Sequence, residues 1–182
     1  MVQLLKNKVV VITGGAQGIG YAIATQFLEN GIKTVILLDF NEDKGIQAVK
    51  TLNENYGKNK AVFIKCDVVE DLADVSKRIF EEFKQVDVLI NSAGVGDETR
   101  ARRLMLINSV ATIEWSLAFW EHMRTDNGGK GGTIINIVSI FGFQVCPIVP
   151  IVKNKFNFNI IKHTYDEDGR IPSSSEPSSG AV

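Results

Sequence analysis

Cysteine is scarce in this chain of 182 residues, with two in all, Cys66 and Cys146. Neither sits in a CxxC pair, so no zinc or dithiol redox motif is present. Both lie in apolar surroundings, where cysteine packs as a small hydrophobe. No apolar run reaches the ~18 residues needed to span a bilayer. The opening "MVQLLKNKVVVITGG" has no long apolar stretch ending in a small-residue cleavage site. A cytoplasmic protein without membrane contact is expected. Excess charge is missing as well. A formal net charge of -1 gives no pull toward nucleic acid or an anionic surface. Proline is absent before Pro147, and all four prolines (Pro147, Pro150, Pro172, Pro177) follow it.

What is present is a long alternation. "KVVVIT" (8–13) is a short β-branched run, long enough for a buried strand. In "AQGIGYAIATQFLENG" the residues Ile19, Ala22, Ile23, Phe27 and Leu28 recur at helical spacing, with Gly31 as a C-terminal stop. "KTVILLD" (33–39) predicts a second strand. Residues 41–57 predict a helix capped by Asn41, with Ile46, Val49 and Leu52 on its apolar face. Strands at 61–68, 86–94 and 133–139 alternate with helices at 70–83 and 100–124, and "GGKGG" (128–132) predicts a loop. This order predicts an α/β fold: a Rossmann-like, doubly wound parallel sheet with helices on both faces. Composition changes near residue 147. "KNKFNFNIIKH" is basic and Asn-rich, and "GRIPSSSEPSSGAV" reads as a disordered tail. The expected division is a nucleotide-binding domain over 1–152, lacking the last strands of such a sheet, and an atypical, largely disordered stretch over 153–182.

Between the first strand and first helix stands "TGGAQGIG", residues 13–20. Such a turn must be tight, let the backbone approach a pyrophosphate, and aim unpaired N–H groups from the helix start at it. Gly14, Gly18 and Gly20 meet that need. The second strand ends in Asp39, nineteen positions beyond Gly20. A carboxylate there accepts from ribose hydroxyls and repels a 2′-phosphate, which favours NAD over NADP. The charges that follow are Glu42, Asp43 and Lys44, with no arginine among them. Asp67 and Asn91 end the third and fourth apolar runs in the same way, where ligands of such sheets bind.

With these residues the chain resembles the short-chain dehydrogenase/reductase family. "TGGAQGIG" is similar to its cofactor loop, "CDV" (66–68) to its adenine segment and "NSAG" (91–94) to its NNAG motif with Ser92 changed. "IINIVS" is similar to the strand ending in its catalytic serine, here Ser139, and "IN" (107–108) places its helix asparagine at Asn108. The similarity covers roughly residues 6–152. "NGGKGGTIINIVS" and "VDVLINSAG" look most like the NAD-dependent branch acting on hydroxyprostaglandins, with insect-type alcohol dehydrogenases next. The resemblance implies NAD held by Gly14, Gln17, Gly18, Ile19, Gly20, Asp39, Asp67, Val68, Asn91, Ala93 and Gly94. It implies a small secondary alcohol or its ketone as substrate, with Ser139 on the substrate oxygen and Asn108 supporting a water relay. No metal is implied, and full-length members are usually homo-oligomers.

The resemblance also implies a tyrosine that exchanges a proton with the substrate, and a lysine that lowers its pKa. Those places fall at Val152 and Phe156. Valine carries no proton to transfer. Tyr165 and His163 lie further on, in "IIKHTYDEDGR", as poor substitutes. Three outcomes stay open: a dehydrogenase, an NAD-binding relative without activity, and an alternative or truncated reading of a gene whose complete product is active. Two other sets have competing readings. Trp115, Phe119 and Trp120 line a pocket or fill the core, with core favoured. Arg100, Arg102 and Arg103 hold a carboxylate substrate or form a solvated helix start, with the latter favoured.

Overall fold

The computed structural model describes residues 5–138. Ser139, Cys146, Val152, Phe156, the proposed domain boundary at 152 and the tail lie outside the described residues.

Five parallel strands form one sheet in the order β3-β2-β1-β4-β5. They are β1 (Val9–Thr13), β2 (Thr34–Asp39), β3 (Ala61–Lys65), β4 (Val88–Asn91) and β5 (Thr133–Asn136). The chain winds outward from β1 through β2 to β3, then returns to β4 on the other side of β1. That reversal makes the gap between the carboxyl ends of β1 and β4 the place where such sheets bind ligands. β1 is buried along its whole length because it has a strand on each side and helices above and below.

Side chains alternate between the two faces. Val11, Ile36, Leu38, Ile64, Leu89 and Ile134 meet α3 (Leu72–Phe83) and α5 (Thr112–Met123) through Ile79, Val75, Trp115 and Phe119. Val10, Ile12, Val35, Leu37 and Ile90 meet α1 (Gly18–Glu29) and α2 (Glu42–Tyr56) through Ala24, Leu28, Ala48 and Leu52. The expected architecture, helices on both faces of a parallel sheet, is thus observed. Trp115 and Phe119 are core residues, exposed by 1% and 0%. Trp120 is half-buried on the same helix and carries the Arg124 guanidinium 4.4 Å over its ring.

Two predicted helix faces are rotated. On α1 the inward residues are Gly20, Ala24 and Leu28, while Ile19 and Ala22 are exposed and Ile23 and Phe27 only half-buried. On α2 they are Gly45, Ala48 and Leu52, and Ile46 is exposed. Both helices lie close to the sheet, so small residues face it. A Cβ at Gly45 would fall 2.0 Å from the Phe63 ring of β3. The larger apolar residues are displaced to the helix flank. Asn41 caps α2 as expected, accepting from Lys44 N at 3.0 Å.

Strand ends also shift. β3 stops at Lys65, two residues before Asp67, and β5 stops at Asn136. The predicted long helix is observed as α4 (Ala101–Met105), a π-helical stretch over Leu106–Ala111, and α5. A widened turn of this kind re-aims the side chains within it and recurs at functional sites. Here it contains Asn108.

Candidate functional site

A cleft of about 450 Å³ opens at the carboxyl ends of β1, β2, β3 and β4. The glycine loop forms its floor. Gly14 has φ +65°, and a Cβ there would lie 2.8 Å from Ala93 Cα in the turn after β4. Only glycine lets the two turns approach this closely. At Gly20 a Cβ would reach within 2.2 Å of Gly14 O, so α1 starts flush against the loop. Gly18 differs. It has φ +57°, and nothing lies within 4 Å of where its Cβ would be. The loop is therefore packed on its protein side and open on its cleft side. Gln17, the N-cap of α1, makes no side-chain capping hydrogen bond. The first-turn N–H groups of α1 stay available to an anion.

Asp39 forms one wall. Its Oδ2 accepts from Ala16 N at 3.1 Å and its Oδ1 from Asn41 N at 3.0 Å. Each oxygen keeps a second lone pair for a hydroxyl donor. Phe40, next in sequence, is 70% exposed and lines the same cleft as an uncovered apolar wall. Cys66 and Val68 line it further along. Burial pushes the Cys66 thiol up to about 12, with Asp71, Asp67 and Asp39 adding to the shift. The thiol is therefore neutral at physiological pH and is no nucleophile. Asp67 also lines the cleft, and its carboxylate pairs with Arg103. Arg103 reaches Glu70 as well, at 3.7 Å, and Arg100 pairs with Asp97 at 2.7 Å. Two of the three helix-start arginines are thus committed to protein carboxylates.

The expected cofactor residues are brought together with one exception. Gly14, Gln17, Gly18, Ile19, Gly20, Asp39, Asp67, Val68, Ala93 and Gly94 all line the cleft. Asn91 does not. Its Nδ2 donates to Asn136 Oδ1 at 2.8 Å and Ser116 Oγ at 3.0 Å, tying β4 to β5 and α5. At 4% exposure it is a buried brace. Asn108 likewise turns both polar atoms to the chain. Val95 N donates to its Oδ1 and its Nδ2 donates to Val95 O, fixing the segment that follows Gly94. Ser139 lies outside the described residues.

Several contributing residues were not foreseen. Phe40, Cys66, Ser92, Val95 and Ile107 line the cleft. Thr13 supports it from below, its Oγ1 accepting from Ser92 N and Ala93 N, both at 3.1 Å. A signal for Thr13 existed: it is a polar residue ending a fully apolar strand, the pattern that singled out Asp39.

Compared with known proteins, the chain matches the family described as short chain dehydrogenase over residues 8–151. It belongs to the short-chain dehydrogenase family. Within this family it is 36% identical over 149 residues to human 15-hydroxyprostaglandin dehydrogenase [NAD(+)], an alignment covering 81% of this chain and 56% of that protein. The rat protein of that name gives the same identity and coverage. The chain thus spans little more than half the length of the curated relatives it matches. Among solved structures, NAD+-bound xylitol dehydrogenase superposes with a TM-score of 0.74 at 24% identity, over 83% of this chain and 60% of that one. A short chain dehydrogenase from Escherichia coli complexed with NADPH also gives 0.74 at 24% identity, over 86% of this chain and 69% of that one. These two establish the fold; one carries NAD+ and the other NADPH, so fold alone does not choose the nucleotide.

Proposed function

We propose that this chain is an NAD-binding member of the short-chain dehydrogenases with little or no turnover of its own. The observation that carries the cofactor reading is Asp39. Its carboxylate is fixed at the cleft wall by two backbone N–H groups, and it ends the strand beside β1. An anion held there accepts from a ribose diol and opposes a 2′-phosphate. The residues present fit the nucleotide. The open side of Gly18 and the uncapped start of α1 would take the pyrophosphate. Phe40, Asp67 and Val68 would hold the adenine. Bound NAD supplies a hydride acceptor, which suits oxidation of a secondary alcohol to a ketone.

The chain's own groups decide how far that reaction goes. By family resemblance Ser139 would hold the substrate oxygen. Val152 and Phe156 stand at the proton-transfer and supporting-cation positions, and neither side chain titrates. Without the acid–base group the rate falls by about 10²–10⁴-fold. If a substrate is turned over, the likeness to 15-hydroxyprostaglandin dehydrogenase names a hydroxyprostaglandin-like alcohol as the first to try.

The test is calorimetric titration of the full chain with NAD, followed by an assay for NADH formation with 15-hydroxyprostaglandin. Saturable NAD binding with no measurable turnover is expected. Turnover at the rate of an intact family enzyme would refute the inactive reading. Absence of NAD binding by a cooperatively unfolding sample would refute the cofactor reading.

A further inference from the structure

We propose that Lys44 is a second determinant of cofactor choice, acting against Asp39. The inference rests on the reading of the cleft as an NAD site and deepens it. A ring of hydrogen bonds surrounds the carboxyl end of β2. Ala16 N and Asn41 N donate to the two oxygens of Asp39. Asn41 Oδ1 accepts from Lys44 N at 3.0 Å. The Lys44 ammonium then crosses from the first turn of α2 to the glycine loop, where it donates to Gln17 Oε1. Gln17 adjoins Ala16, which closes the ring.

Both Gln17 and Asp39 line the cleft. The ring therefore sets a carboxylate in the cleft wall, where an adenine ribose would lie, and an ammonium behind the neighbouring cleft residue Gln17. In sequence, Lys44 is one charge in the mixed run Glu42-Asp43-Lys44. The structure separates them. Glu42 is engaged by Lys65 at 2.8 Å, and Asp43 stays in the first turn of α2. Lys44 alone reaches back to the loop.

Its partner there is a neutral amide oxygen, so that contact leaves the positive charge uncompensated. A lysine on a flexible stem can exchange such a partner for an anion at low cost. A 2′-phosphate on the ribose would meet repulsion from Asp39 and attraction from Lys44 together. Asp39 prevails in the native chain, because its fixed carboxylate itself lines the cleft whereas Lys44 reaches it only through Gln17. The preference for NAD is then a difference of two opposed terms. Removing the Asp39 charge leaves Lys44 in command and turns the site toward NADP.

The experiment titrates the full chain with NAD and NADP at low salt, as wild type, Asp39→Ser, Lys44→Met and the double variant. Asp39→Ser is expected to tighten NADP binding, and adding Lys44→Met to weaken it again by about tenfold, with less than about threefold change for NAD. Lys44→Arg should retain NADP affinity. Raising ionic strength toward ~1 M should shrink the Lys44 effect. Should Asp39→Ser fail to fold, the wild type and Lys44→Met are compared with 2′-phospho-ADP-ribose and ADP-ribose instead. An NADP-to-NAD affinity ratio that ignores position 44 while NAD still binds would overturn the role of Lys44 alone. A folded wild type that binds neither nucleotide would overturn the cofactor reading and this inference with it.

Discussion

Asn108 and the backbone of Val95 hold each other through two hydrogen bonds, each 2.8 Å long. Asn108 is 5% exposed and sits in the π-helical stretch, while Val95 lines the cleft. One side chain thus joins the long helix to the cleft wall. Asn108→Leu keeps the approximate volume but removes both bonds, leaving the N–H and C=O of the exposed Val95 to water. Urea unfolding should show a loss of about 1–3 kcal/mol, the net worth of two hydrogen bonds, with weaker NAD binding in whatever remains folded. Asn108→Asp keeps the acceptor but sets a buried carboxylate oxygen against Val95 O, and should cost at least as much.

The glycine loop separates packing from conformation. Gly20→Ala drives a methyl into Gly14 O at 2.2 Å, and backbone cannot yield as a side chain does. Gly18→Ala meets no atom but must hold φ at +57°. The second should cost about 1–2 kcal/mol. The first should cost more and abolish nucleotide binding. Thermal unfolding of both variants, with and without NAD, checks the order. Equal costs would contradict the close approach of α1 to its loop.

Cys66 gives a test by pH and by chemistry. Burial raises its thiol from an ordinary value of 9.0 to about 12, so the folded chain keeps a proton that the unfolded chain releases. This contribution to stability is complete below pH about 9, and is lost as pH rises through the window up to about 12. In a Cys146→Ser background, a thiol reagent at pH 8 should label the folded chain far more slowly than the urea-unfolded chain. Labelling at matched rates would mean that Cys66 is not buried.

His122 supplies the opposite sign. Its ring stacks on Phe80 at 3.8 Å with an interplanar angle of 4°, and burial lowers its pKa from an ordinary 6.5. The unfolded chain then binds the proton more readily. The stability due to neutral His122 is present above pH about 6.5 and is lost as pH falls through the lowered folded value. His122→Phe keeps the stack and should flatten the fall in unfolding free energy as pH drops below about 6.5. An unchanged slope would assign that dependence to other groups.

The fold class was legible because short continuous apolar runs alternate with period-3.6 segments, and a parallel sheet with covered faces satisfies both. The glycine loop was legible for a similar reason: few residues permit the backbone that a strand-to-helix turn requires. The rotated faces of α1 and α2 were not legible. Hydrophobicity alone favoured Ile19 and Ile46 as inward residues, whereas the short distance to the sheet demands Gly20 and Gly45. The destination of Asn91 was hidden likewise. A polar strand end looks the same in sequence whether it faces a ligand or, as here, Asn136 across the neighbouring strand.

The sequence by itself determined the architecture, the position of the glycine-rich turn and the acidic end of β2, because these follow from local periodicity and backbone sterics. It also set Val152 and Phe156 where the family resemblance calls for a tyrosine and a lysine. Tertiary structure alone decided which polar residues face the cleft and which brace it, and it carried Lys44 across to Gln17. Such choices depend on partners distant in sequence, whose directions and desolvation are fixed only when the elements pack.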